Sequence, residues 1–452
     1  MSTIAFARPP HPAVVPAVVS QHVEEAAHLR HVRSVLVRAP HVKLHQLGRL
    51  DERIAAHLDG IAVSGDYGLR LCTEALASPG AGEVFALAVR ALELRDPARL
   101  LKLFDLAEVE PAAERGLISA FGWVSAPLLQ GTIRALLAAP RPAMRRIALA
   151  ACAMHRVDPG PALDAALQAD DAGLRERAWR VAGASTRVDR LGALEAAAAT
   201  PIEPSDGAAT RGDPAWRAAQ AAVLLGSRGA ALQRLLSVSD TATPTGDLAA
   251  ELALRVVELP QAQAHLRGWA TRAAEPTPAG VAAKRRLIRR CGVVGDPQVI
   301  PWLITQMEDL HWSRLAGEAF TLITGADLAW LDLERKPPEA AADGSGEGRY
   351  GGPTEDPADD DVALDEDESL PWPDVAKVQA WWAKQAARFP AGRRFFMGSE
   401  PSPAEAARVL REGCQRQRHA AALWACVLEP GRGLFPTAAP AWRQKRWLTA
   451  AD

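Results

Sequence analysis

Val294-Gly295-Asp296-Pro297-Gln298-Val299-Ile300-Pro301-Trp302-Leu303 is the stretch that decides the fold of this 452-residue chain. Asp296 and Pro297 are suited to open a helix, because an aspartate accepts from the first free N–H groups and proline lacks one. A second apolar pattern runs from Arg314 to Gly325. Glycine commonly follows the C-terminus of a helix, so Gly325 marks the end of this pattern. Two short amphipathic helices of this kind bury their apolar faces only when further copies stack beside them. The stretch therefore predicts a helical repeat.

Related units recur along residues 81–335, at intervals of 29 to 40 residues. A helix pair with its turns needs about this length. Each unit has a polar anchor followed by small and apolar residues, and the anchors are Arg115, Arg146, Arg177, Arg217, Glu251, Arg285 and Arg314. We therefore predict an all-α fold in which HEAT-like helix pairs form an α-solenoid.

The composition changes along the chain and predicts five regions. Residues 355–368 contain nine carboxylates and no Lys or Arg, so this part cannot bury enough apolar surface to offset its ordering entropy. The predicted regions are a flexible N-terminus (1–20), a helical N-terminal region (21–80), the repeat array (81–335), a disordered acidic loop (336–370) and a Trp-rich helical C-terminal region (371–452).

Overall charge and cysteine usage exclude several classes of protein. A net charge of -2 argues against a protein that binds nucleic acid through its overall electrostatic field. The five cysteines contain no C-x-x-C pair, which argues against a disulfide framework and a structural zinc site. No run of 18 uncharged apolar residues and no signal-peptide pattern is present. We expect a cytoplasmic protein without a membrane segment.

The common catalytic and cofactor motifs are absent from the sequence: there is no P-loop, no G-x-G-x-x-G, no G-x-S-x-G and no H-E-x-x-H. We therefore expect a protein that is not an enzyme and has no cofactor. His28 with His31 and His41 with His45 have spacings that place each pair on one helix face. No carboxylate or cysteine cluster accompanies them, so packed or solvated histidines are the favoured interpretation over a metal site.

A basic cluster stands out within the repeat array and is a candidate interaction surface. It consists of Lys284, Arg285, Arg286, Arg289 and Arg290. Helical spacing crowds the four arginines onto one side, which would attract phosphate or an acidic protein. Two other interpretations stay open: a solvated helix face, and intramolecular pairing with the chain's own acidic loop.

Trp372, Trp381 and Trp382 follow the acidic loop and are the second group of candidate interaction residues. Tryptophan at helical spacing is more often part of a core than of a binding surface. These three are the exceptions, because adjacent tryptophans are not expected to face one core together.

Several segments carry a family resemblance. In the N-terminal region they are Gln-His-Val-Glu-Glu-Ala-Ala (21–27), Arg-Ala-Pro-His (38–41) and Leu-Asp-Glu-Arg-Ile-Ala-Ala-His-Leu-Asp-Gly (50–60). In the C-terminal region they are Arg-Arg-Phe-Phe-Met-Gly (393–398), Arg-His-Ala-Ala (418–421) and Arg-Gln (443–444). With these segments the chain resembles an uncharacterised bacterial family of HEAT-repeat proteins associated with type VI secretion gene clusters. The HEAT resemblance also implies an inter-repeat ladder at Asp309 and Arg314.

The resemblance implies an accessory role, such as an adaptor or chaperone for a secretion component or effector. We therefore expect a non-enzymatic scaffold with a protein partner. The alternatives are an immunity protein against a toxin, and a HEAT-like nucleic-acid-binding protein or enzyme that uses the basic helix 284–290.

Overall fold

A computed structural model describes residues 14–200, 215–338, 367 and 369–449. Within these ranges the chain is predominantly helical, which confirms the predicted all-α class. None of these helices is both long and apolar enough to cross a membrane. Contacts divide the chain into two compact units: one contains Met1–Val35, His45–His155 and Ala439–Arg443, and the other contains Leu36–Leu44, Arg156–Ala438 and Gln444–Asp452.

The first unit is built from consecutive helices that pack on their neighbours along the chain. The helices are α1 (Pro16–Leu36), α2 (Leu44–Val63), α3 (Gly65–Glu74), α4 (Ala81–Glu93), α5 (Pro97–Val109), α6 (Pro111–Trp123), α7 (Thr132–Leu137) and α8 (Pro142–His155). Helix α4 packs against α6 and α6 against α8, while α5 and α7 each contact the helix that follows. Residues 16–20 are therefore helical, although the sequence placed them in a flexible N-terminus.

The second unit also consists of helices that pack on their neighbours along the chain. Its helices are α9 (Pro161–Leu167), α10 (Ala172–Ala184), α11 (Leu191–Ala199), α12 (Trp216–Leu224), α13 (Ala230–Ser239), α14 (Pro244–Val256), α15 (Leu259–Ala273), α16 (Pro278–Val294), α17 (Ile300–Gln306), α18 (Ser313–Thr324), α19 (Val375–Gln385), α20 (Pro403–Glu412) and α21 (Gln415–Leu428). The last helix, α22 (Ala441–Thr449), has its first three residues in the first unit and the rest in the second. The even-numbered helices α10 to α18 contact one another in succession, and each odd-numbered helix from α9 to α17 packs on the next even one. This sequence-adjacent packing is consistent with a helical repeat.

Short 3₁₀ turns and a two-residue strand pair complete the secondary structure of the described ranges. The 3₁₀ turns are Ala75–Ala77, Ala126–Leu129, Val188–Arg190, Pro297–Val299 and Ala386–Arg388. Strand β1 (Glu334–Arg335) runs antiparallel to β2 (Trp372–Pro373), with Arg335 opposite Trp372. Of the predicted acidic loop, only residues 336–338, Asp367 and 369–370 are described.

The polar anchors predicted from the sequence follow the alternation of the helices, but they lie between the second and the eighth residue of each helix and do not open it. All seven fall in alternate helices: α6, α8, α10, α12, α14, α16 and α18. Asp296 opens its turn as predicted, because its carboxylate accepts from the Gln298 N–H at 3.0 Å. The five-region division of the chain stays a prediction.

Residues 394–398 cross the C-terminal ends of three even-numbered helices in the second unit, and they form part of what we call the return segment (393–444). The Arg394 guanidinium donates to the carbonyls of Leu254, Val257 and Val294, at 2.7, 2.5 and 3.0 Å. The last carbonyls of a helix have no partner within the helix, so donors from elsewhere stabilise these ends. Burial lowers the pKa of Arg394 to about 10, which leaves it charged at neutral pH.

Main-chain donors of the same segment complete the capping. The N–H groups of Phe395, Met397 and Gly398 donate to the carbonyls of Gly295, Leu322 and Ile323. Gly295 follows α16 with a φ of 74°, and a Cβ there would lie 2.2 Å from the Phe395 carbonyl oxygen. The glycine is therefore required both by its left-handed backbone and by the close passage of the return segment.

Replacement of Arg394 by Met should lower the free energy of unfolding of the second unit by about 2–4 kcal/mol. Methionine keeps most of the apolar contact but leaves three helix-end carbonyls without their donor. The matched control is Arg393→Met, whose side chain is 61% exposed, and its cost should stay within about 0.5 kcal/mol. Urea denaturation followed by circular dichroism measures both, and equal losses would contradict the capping role.

A pair of glycine substitutions should change stability in opposite directions. Gly295→Ala should destabilise by more than about 1 kcal/mol, because alanine disfavours positive φ and its Cβ meets the Phe395 carbonyl. Gly268→Ala should stabilise by about 0.5–1 kcal/mol, because Gly268 lies inside α15 with open space around its Cβ position. Thermal unfolding of the two variants tests this, and a shared direction of change would refute the assignment.

Candidate functional site

The predicted basic cluster lies in α16, where most of its charges have partners within the chain. Arg285 forms a two-bond ion pair with Asp367, with distances of 2.6 and 2.8 Å. Arg286 donates from Nε to both carboxylate oxygens of Asp247, at 3.0 and 3.2 Å. The Lys284 ammonium lies 5.4 Å from the centre of the Trp312 ring. None of the five residues is fully exposed, so the solvated-face interpretation loses support.

Arg290 is the most deeply buried member of the cluster, with 3% of its surface exposed. Its guanidinium stacks 3.9 Å from the Trp269 ring centre and contacts Asp247 at 3.3 Å and His265 Nε2 at 3.1 Å. Arginine only donates, so Nε2 of His265 is the acceptor and the ring proton lies on Nδ1, which faces Asp240 at 3.4 Å. Burial, followed by the charge of Arg290, lowers the pKa of His265 to about 4.

These contacts favour one of the three interpretations of the basic cluster. Asp367 belongs to the predicted acidic segment, and its pair with Arg285 is the intramolecular pairing that the sequence left open. Arg289 is half-buried. An interaction surface along the whole cluster stays a prediction, and the structure places a more accessible set of cations elsewhere.

The two adjacent tryptophans of α19 pack on one aromatic side chain. The rings of Trp381 and Trp382 lie 5.6 and 6.4 Å from the ring of Phe320, both in edge-to-face geometry. Our expectation that neighbouring tryptophans do not share a core was wrong here. Successive helical residues point about 100° apart, but two large rings reach around a single phenylalanine from either side.

Trp372, the third predicted tryptophan, lines a cleft of about 590 Å³ that we call the basic cleft. The Arg314 guanidinium lies 4.8 Å over the Trp372 ring, and the exposed side chains of Arg335 and Lys336 add two further cations. Glu334 contributes one opposing charge. A stacked guanidinium flanked by further cations is suited to a carboxylate or phosphate group.

Arg335 and Lys336 are not among the site residues predicted from the sequence, and Arg314 was predicted to belong to a ladder. The Asp309 carboxylate accepts from the His311 N–H at 2.9 Å, and Arg314 stacks on Trp372. The ladder itself stays a prediction. Arg335 and Lys336 could not be predicted as site residues because the pairing of β1 with β2 brings residues 335 and 372 together, and a long segment of biased composition separates them in the sequence. The break in composition at Lys336-Pro337-Pro338 was the only signal available.

Among the histidines, the structure brings together a pair that the spacing did not predict. His22 Nδ1 and His57 Nδ1 lie 3.0 Å apart, between α1 and α2. One neutral ring donates to the other, and burial together with His22 lowers the pKa of His57. The described residues contain no group of three or more His, Cys, Asp or Glu side chains placed to hold a metal ion.

The segments that carry the family resemblance contain buried polar residues with structural contacts. In the first unit, Asp51 accepts from Arg33 at 2.5 Å and from the Ala441 N–H at 2.6 Å. Arg443 donates to the carbonyls of Gly122 and Val124, both at 2.8 Å, at the end of α6. These residues therefore fix part of the return segment rather than line a cleft.

The second unit contains a matching buried network. Arg418 has no exposed surface and donates to the Leu410 carbonyl at 2.7 Å and to the side-chain oxygens of Gln415 and Gln444. Both glutamines donate onward to the Thr437 carbonyl, at 3.1 and 2.8 Å. A buried charge held by neutral acceptors alone is tolerated because each acceptor is itself fixed.

Comparisons with protein-family models, with curated proteins and with solved structures give no match to this chain.

The stability of the second unit should fall as the pH is lowered from 7 to 5, in part through His265. In the unfolded chain this histidine takes up a proton near pH 6.5, whereas the folded protein accepts it only near pH 4. The folded-state pKa is depressed, so the stabilisation is complete above pH 6.5 and decreases by about 2 kcal/mol by pH 5. His265→Gln should flatten this dependence in urea titrations, while the exposed-site control His311→Gln should retain it.

Proposed function

We propose that this protein is a non-enzymatic scaffold of the HEAT-like α-solenoid type that binds a carboxylate-rich segment of another protein in the basic cleft. The observation that carries the proposal is the stacking of Arg314 on Trp372 beside Arg335 and Lys336. Aromatic and arginine side chains are the residues on which protein interfaces most often depend. The biological setting we propose is that of an adaptor or chaperone for a type VI secretion component or effector, and this rests on the family resemblance.

The basic cleft is a better candidate binding site than the predicted basic cluster, because side chains of the cluster already have partners within the chain. Asp367 pairs with Arg285, Asp247 pairs with both Arg286 and Arg290, and Arg290 is buried. In the same unit, α21 packs against α12 and α14 and covers part of the even-numbered helices. Arg335 and Lys336 remain exposed and lie next to an aromatic ring.

The same contacts give little support to the alternative of a nucleic-acid-binding protein or enzyme that uses residues 284–290, and we do not propose it. An immunity role differs from the adaptor role only in the identity of the partner. No contact among the described residues favours immunity over the adaptor role. A growth assay separates the two, because only an immunity protein restores growth of cells that express the partner toxin.

The test is affinity purification of the tagged full-length protein from its native host, with quantitative mass spectrometry. The double variant Arg335→Glu/Lys336→Glu reverses two exposed charges of the cleft and keeps the residues Arg314 and Trp372 themselves. We expect it to lose a specific protein partner, with affinity reduced about tenfold or more. Binding of the wild type should weaken as salt is raised from 50 to 300 mM, because these charges are exposed.

The matched control is Arg267→Glu/Arg393→Glu, which makes the same charge change at two exposed arginines outside the cleft. It should retain the partner. Equal recovery of all proteins with both double variants would contradict the proposal. Recovery of nucleic acid that is lost only with the cleft variant would assign the cleft to phosphate instead.

A further inference from the structure

Trp330 is the most exposed large apolar side chain among the described residues, with 86% of its surface accessible. It lies in a closed turn that follows α18. The Leu333 N–H donates to the Leu328 carbonyl at 2.8 Å, and the Trp330 N–H donates to the Asp327 carboxylate at 3.1 Å. Leu328 and Leu333 are buried. The turn therefore buries Leu328 and Leu333 and leaves the Trp330 side chain exposed to solvent. Its hydrogen bonds hold the backbone of Trp330 in place.

Leu331, the next residue, lines a second cleft of about 450 Å³ that we call the aromatic cleft. Trp381 and Met397 supply further apolar lining, and the exposed Arg388 lies at its edge. Arg408 also lines it, but this arginine already pairs with Glu405 and Glu412. The aromatic cleft thus offers apolar contact with one accessible cation, unlike the basic cleft with its three cations.

The two clefts lie at opposite ends of α18. Arg314, near the start of the helix, lines the basic cleft, and Thr324, its last residue, lines the aromatic cleft. Twelve helical residues span about 18 Å. An extended chain covers that distance in about five or six residues. One short extended segment is therefore long enough to occupy both clefts.

We infer that the partner presents an extended segment with two parts: a carboxylate cluster that binds the basic cleft, and an apolar residue, five to eight positions away, that packs against Trp330 and Leu331. This inference rests on the proposed function and names the kind of segment that the scaffold takes. The positive charge of the clefts favours acidic segments. The exposed Trp330 adds an apolar contact, which a site made of charges alone does not provide. The spacing between the clefts sets the register of the segment.

The experiment is selection of a phage-displayed library of random 16-residue peptides on the full-length protein. A second arm uses a variant in which the carboxylates of residues 355–368, except Asp367, are replaced by amides, because this stretch has the same chemistry as the ligand. Enriched peptides should carry acidic residues and an aromatic or large aliphatic residue at the stated spacing. Stronger enrichment in the second arm would show that the chain's own carboxylates compete with the external segment.

Binding of a selected peptide is then measured by fluorescence anisotropy against two variants. Trp330→Ser should weaken it about tenfold or more, and Arg335→Glu/Lys336→Glu should weaken it in a salt-dependent way. Val109→Ser is the control, because Val109 is also highly exposed but lies in the first unit. If only the charge variant weakens binding, the inference about Trp330 fails and the proposed function stands. If neither does, or if no peptide is enriched, both are overturned.

Discussion

The structure depends on how the carbonyl ends of its even-numbered helices find hydrogen-bond donors. Each helix ends with carbonyl groups that have no partner inside the helix. Here the return segment supplies many of those donors: Arg443 at α6, the Leu434 N–H at α10, Arg394 at α14 and α16, and main-chain N–H groups at α16 and α18. Positive guanidinium groups also complement the negative ends of the helix dipoles. Residues 394–434 of the return segment thus cap helices of the second unit, and Arg443 caps α6 within the first unit.

This constraint explains which residues carry the family resemblance. Asp51, Arg394, Arg418 and Arg443 all satisfy buried main-chain or side-chain groups of the return segment and the helices it caps. Their hydrogen bonds involve fixed geometry with several partners, so replacement by another residue leaves buried groups unpaired. These four residues therefore close the fold, and none of them lines either of the two clefts.

The all-α class and the alternation of the helices could be predicted from the sequence, whereas the long-range contacts at the candidate site could not, for physical reasons. The helices and their register follow from local signals, such as the Asp296-Pro297 opening and the anchors of alternate helices, and these do not depend on distant contacts. The pair of Arg286 with Asp247 and the donation from Arg394 to Leu254 join residues 39 and 140 positions apart. No local pattern encodes such pairs. The stack of Arg314 on Trp372 likewise depends on the strand pair that brings the two residues together.

The capping role of the return segment also bears on where a partner is able to bind in the second unit. In many helical repeats the inner helices offer a continuous surface, but here α21 packs against α12 and α14, and Arg416 pairs with Glu318 in α18 at 2.8 Å. A partner would have to displace buried contacts, including those of Trp424, to reach that surface. The cost of exposing such a core exceeds what a short segment gains. The accessible clefts at the two ends of α18 require no such displacement, which makes them the better candidates.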